Sequence, residues 1–91
     1  MYYVTMSDKA LSGWGHAHKL TNKLIFECEA YSEALIVEEN ARNRSDMKYV
    51  NICARKPSYY RKNDQRVGNY YVQVKTKDKY PSWYQAGYFS K

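Results

Sequence analysis

Apolar and polar residues alternate along three runs of this chain and take a helical spacing in a fourth stretch. Lys23 to Cys28 places Leu24, Phe26 and Cys28 on one side and Ile25 and Glu27 on the other. Lys48 to Ala54 sets Val50, Ile52 and Ala54 against Tyr49, Asn51 and Cys53, and Asn69 to Thr76 sets Tyr70, Val72 and Val74 against Tyr71, Gln73 and Lys75. The opening Tyr2 to Met6 is short and rich in strand-forming residues. Between the second and third strands, Ala30, Ala34, Val37 and Ala41 recur at the spacing of one helical face, with Glu38, Glu39, Asn40 and Arg42 toward water. Ser32 is the expected cap, Glu33 stands in the first turn, and Arg42 and Arg44 stand in the last.

The order strand, loop, strand, helix, strand, loop, strand predicts an α+β domain. Its architecture is a small antiparallel sheet of about four strands with one helix packed on one face. Small alanines let that helix lie close. Residues 7–22 and 56–68 read as loops, the first because Gly13 and Gly15 bracket Trp14, the second because it has neither an apolar period nor caps. The sheet face away from the helix is then open to a ligand or a second subunit, and Tyr49, Asn51, Tyr71, Gln73 and Lys75 are expected there. With 91 residues the chain is a single domain, 1–91. Residues 77–91 could form a short helix, a last strand or an aromatic arm. Aliphatic residues are sparse, so a homodimer or a ligand would add stability.

Charge changes the picture. Met1 to Ala54 holds six Lys or Arg and seven acids, whereas from Arg55 onward there are nine Lys or Arg, two acids and seven of the eleven tyrosines. Cations attract phosphates through counterion release, and Tyr and Trp rings stack on bases. This makes nucleic acid or a nucleotide the expected partner. Arg61, Lys62, Arg66, Lys75 and Lys77 are the phosphate contacts, with Tyr59, Tyr60, Tyr71, Trp14 and His16 as stacking or hydrogen-bonding groups. The expectation needs these residues to converge on one exposed patch. A solubility reading competes, because Tyr suits strands and Lys blunts sheet edges. A protein interface anchored by Trp83, Tyr84, Tyr88 and Phe89 is the second functional reading.

Other chemistry is thinly represented. His16 and His18 could serve as an acid and base pair for RNA cleavage, yet no catalytic constellation is legible in the residue order, so no enzyme is expected. The same pair lacks further ligands at metal-site spacing, and neither a metal nor a cofactor is expected. Cys28 and Cys53 read as free thiols within strands. The N-terminus lacks the shape of a signal peptide and no apolar run suits a membrane span, so the expected location is the cytoplasm, with no membrane partner.

Four stretches carry a resemblance: Tyr3-Val4-Thr5-Met6-Ser7-Asp8-Lys9, Ser12-Gly13-Trp14-Gly15, Asn22 to Cys28, and Glu39 to Ile52. Together they are similar to a group of small uncharacterised proteins carried by bacteriophages and other mobile elements. The resemblance implies an accessory factor acting in a bacterial host, either on nucleic acid or nucleotides or as an inhibitor that binds a host defence protein directly. It brings no site residues with it, and it does not extend past Lys56.

Overall fold

In the computed structural model, residues 1–8, 21–44 and 46–89 are described. They form an α+β domain in which one helix and a five-stranded mixed sheet pack together. The strands are β1 (Tyr2–Asp8), β2 (Thr21–Cys28), β3 (Met47–Cys53), β4 (Gln65–Val67) and β5 (Tyr70–Lys75), in the spatial order β3-β1-β2-β5-β4. β1 runs antiparallel to both β2 and β3, so β2 and β3 point the same way and helix α1 (Tyr31–Asn43) links them across β1. This is a split β-α-β unit. β5 joins β2 in parallel, and β4 closes onto β5 as a hairpin.

Two features depart from the expected antiparallel sheet of about four strands. Parallel pairing of β2 with β5 leaves no mark on alternation, because both strands alternate whichever way they run. The extra strand, β4, is three polar or half-apolar residues held by its partner across the turn Gly68-Asn69, where Gly68 takes φ 62°. A positive φ at the first turn position suits glycine and a tight hairpin.

Alternation sorts the sheet into two faces. Val4, Met6, Leu24, Phe26 and Cys28 face the helix, where Ala34, Val37 and Ala41 meet them in a core without side-chain exposure. β3 carries one extra residue opposite β1, between the pairs Thr5–Asn51 and Ser7–Lys48. Through this bulge Met47 and Val50 both reach the helix side despite a spacing of three, and Tyr49 is left at φ 57°, 70% exposed.

At the helix start, Ala30 occupies the cap position without a side-chain bond. The expected cap, Ser32, is displaced by the carboxylate of Glu33, whose Oε1 accepts from the Glu29 N–H at 3.0 Å. The bond falls one residue before the cap position, not on the cap N–H that a capping box uses. At the other end Arg44 forms a two-pronged pair with Asp46, at 2.9 and 2.7 Å.

Asn40, expected toward water, is buried instead. Its Nδ2 donates to the Trp83 and Gln85 carbonyls at 2.9 and 2.8 Å, and its Oδ1 accepts from the Phe89 N–H at 3.2 Å. The short 3-10 helix Pro81–Tyr84 is thereby tied to α1 and seals one side of the core. Trp83 is 3% exposed with its ring 4.5 Å from Phe26, and the Tyr84 hydroxyl donates to the Glu27 carbonyl at 2.7 Å. The aromatic arm is therefore part of the core. Trp83 and Tyr84 are corrected from interface anchors to packing residues, Phe89 leans half-buried on Trp83, and Tyr88 alone of the four is well exposed.

Cys28 and Cys53 are free thiols, the first buried and the second half-buried. Burial pushes the Cys28 thiol up to about 12, with Glu33 adding to the rise, so it stays protonated. Among the described residues no helix is long and apolar enough to cross a membrane.

Candidate ligand groove and basic sheet face

β3 and β4 lie at opposite edges of the sheet, so the chain between them must cross a whole face. It crosses the face away from the helix. There Tyr3, Ile25 and Val72 form a second small core under Tyr59, Tyr60 and Val67. The face expected to stand open is thus covered by the chain's own loop. Gln73 and Lys75, expected on that face, point to the helix side and are buried, while Val72 and Val74 take the loop side. Burial of two polar residues is tolerated because they bond each other and their neighbours. Gln73 Nε2 donates to Asn22 Oδ1 at 3.2 Å, and Lys75 Nζ donates to Gln73 Oε1 at 2.7 Å and to the Tyr80 hydroxyl at 3.0 Å.

Two rings of the loop are fixed individually. Tyr60 stands edge-on to Tyr3 at 6.1 Å and donates its hydroxyl to Glu27 Oε2 at 2.6 Å. That bond to a carboxylate, aided by burial, raises the Tyr60 phenol to about 12. Tyr59 lies 6.2 Å from Tyr70, and burial raises its phenol too, against a partly offsetting bond to Thr5. Lys23 sits by the same pair, 4.8 Å from the Tyr70 centroid and 5.9 Å from that of Tyr59. Burial lowers the Lys23 ammonium pKa, and the nearby charge of Lys48 lowers it further.

β4 covers only Tyr70 to Val72, which leaves the later half of β5 unpaired by it. The Asp64 carboxylate takes up the Val74 N–H there at 3.1 Å. Beside this uncovered edge a groove of about 380 Å³ opens between Tyr60 and Tyr80, with Lys62, Asn63, Asp64, Lys75 and Lys79 around it. Lys62 and Lys79 are exposed, and Lys75 lies at 4% exposure beneath the Tyr80 ring, 4.5 Å from its centroid. The arrangement offers two tyrosines and two exposed ammonium groups, with the Glu27 carboxylate held by the Tyr60 hydroxyl and the Asp64 carboxylate by the Val74 N–H. It can grip an aromatic, anionic ligand.

The late cations do not share one patch. Tyr60, Lys62 and Lys75 meet in the groove. Arg61 folds onto the carbonyls of its own loop, Ser58 at 3.4 Å and Tyr60 at 2.8 Å. Arg66 lies exposed on β4, bonded to the Gly68 carbonyl at 2.9 Å, with half-buried Tyr71 opposite. Lys77 pairs with Glu33 at 3.1 Å by a smaller pocket whose lining includes Glu27 and Glu29. The expectation of a single surface is corrected, because short β4 and the turn after β5 send neighbouring residues to different sides. Trp14, His16 and His18 lie outside the described residues.

Lys79 and Tyr80 belong to the groove and were missed, although the run Lys75 to Tyr80 signals them. Lys23 and Lys48 have no such signal, since their proximity follows only from both being paired across β1. Among the described residues, no group of three His, Cys, Asp or Glu side chains is placed to hold a metal ion. Comparison with protein-family models, curated proteins and solved structures finds no match to the chain.

Proposed function

We propose that this chain is a non-catalytic binding module for a nucleotide or single-stranded nucleic acid, engaged at the groove between Tyr60 and Tyr80. The observation that carries the reading is that the exposed cations Lys62 and Lys79 line that groove together with Tyr60 and Tyr80. A base stacked on a ring gains about 1–3 kcal/mol, and each neutralised phosphate adds a salt-dependent share. The excess of positive charge, +6 overall, steers such ligands toward the protein. Together with the resemblance to small phage-borne proteins, this points to the nucleotide and nucleic-acid pool of a host cell as the source of the ligand.

Fluorescence anisotropy with labelled single-stranded DNA and RNA, and calorimetry with mononucleotides, test the reading. Affinity should fall with salt, with a log–log slope of about 0.7 per phosphate contacted. The Lys62→Ala, Lys79→Ala double variant should flatten that slope. Binding that is absent at low salt, or indifferent to salt, overturns the proposal.

A further inference from the structure

We infer that Ser7, Lys23 and Lys48 form a binding site for a phosphate-class oxyanion on the sheet face opposite the helix. The site is separate from the groove and does not depend on it. Ser7 lies on the central strand β1, and its partners across the two ladders are Lys23 of β2 and Lys48 of β3. Directly opposed residues have Cβ atoms roughly 4.5–5.5 Å apart, so both lysine stems start beside the Ser7 hydroxyl. The two ammonium groups repel, and neither forms an ion pair among the described residues.

Ser7 supplies the independent observation. It is 1% exposed, and its Oγ is a buried side-chain polar atom with no hydrogen-bond partner among the described residues. Buried hydroxyls are almost always paired, because water is lost without replacement. Elsewhere on this face polar groups are paired, as with Tyr60 on Glu27 and Asp64 on the Val74 N–H. A tetrahedral oxyanion set between the lysines accepts from Ser7 and cancels the repulsion of the two cations. Lys48 extends into solvent beside it. The Tyr70 ring next to Lys23 offers a surface for whatever group the oxyanion carries.

The test is a titration of the full chain with inorganic phosphate against chloride at matched ionic strength, followed by amide and lysine-ammonium NMR. Saturable shifts centred on Ser7, Lys23 and Lys48 are expected. Ser7→Ala should weaken phosphate binding about tenfold, the worth of a charged hydrogen bond. It should not lower the thermal midpoint, since it deletes an oxygen that has no partner. Lys23→Gln with Lys48→Gln should abolish saturation, and the singly substituted Lys48→Gln, at an exposed position, guards against misfolding. Lys62→Ala should leave the saturable shifts at Ser7, Lys23 and Lys48 unchanged while altering any shifts around Tyr60 and Tyr80, which separates this site from the groove. Parallel titrations with a mononucleotide and with a single-stranded oligonucleotide lacking terminal phosphates assign the oxyanion: weakening of the mononucleotide alone by Lys48→Gln identifies a terminal phosphate, and weakening of the oligonucleotide as well shows that the site also accepts a phosphodiester. Unsaturable or evenly spread shifts, undiminished phosphate affinity in Ser7→Ala, or a lowered midpoint in that variant would overturn the inference.

Discussion

On the helix side of the sheet, Leu24, Phe26, Val37 and Trp83 interlock with no appreciable exposure, and the buried amide of Asn40 bonds two carbonyls and an N–H of the C-terminal segment. On the loop side, Tyr3, Ile25 and Val72 are covered by two tyrosines from a segment without regular structure, flanked by lysines and a hydroxyl with no partner. The first face is optimised for cohesion. The second keeps cations and rings near water, where a ligand can supply what the chain leaves unsatisfied. Close packing and exposed charge are thus divided between two faces of the same five strands.

The comparison breaks most forcefully at Trp83. Trp83→Ala should cost about 3–5 kcal/mol in urea unfolding, because it empties the space over Phe26 and the alanine cannot refill it. Asn40→Leu comes next. It orphans two carbonyls and an amide, each worth about 1–3 kcal/mol when left unsatisfied in a buried setting, and limited proteolysis should then cut near residue 80 first.

On the loop side the effects are smaller and depend on pH. The Tyr60 phenol is raised in the folded state to about 12, above its ordinary value near 10. The bond to Glu27 therefore contributes fully below pH about 10 and is lost as pH climbs through about 12. A spectrophotometric tyrosine titration should lose one late-ionising phenol in Tyr60→Phe, and Glu27→Gln should move that phenol earlier. Smallest of all is Tyr49→Gly. The left-handed backbone is strained for tyrosine and the ring is mostly exposed, so thermal unfolding should show no loss, or a gain of up to about 1 kcal/mol.

The helix was legible in the sequence because Ala34, Val37 and Ala41 all serve one packing surface. Asn40 misled because a polar residue reads as solvent-facing until its partners, more than forty positions later, are known. In β5 alternation separated the residues correctly into two sets and gave the wrong set to the outside. Nothing local shows that Asn22 and Tyr80 will satisfy Gln73 and Lys75, nor that a loop will cover Val72 and Val74. Of the candidate site, Tyr60, Lys62 and Lys75 line one groove, with Lys75 buried and its ammonium on Gln73 and Tyr80. Arg61, Arg66 and Lys77 are diverted by bonds to Ser58 and Tyr60, Gly68 and Glu33 that composition does not reveal.

The strand order also sets a timetable. Hairpins β1-β2 and β4-β5 are the ladders between sequence neighbours, and joining them requires β2 and β5 to meet over about fifty intervening positions, a closure typical of slower, millisecond-to-second folding. The groove at the uncovered edge of β5 exists only after that meeting. A ligand bound there would therefore come too late to template early assembly, and would act by slowing the separation of the two hairpins once they have docked.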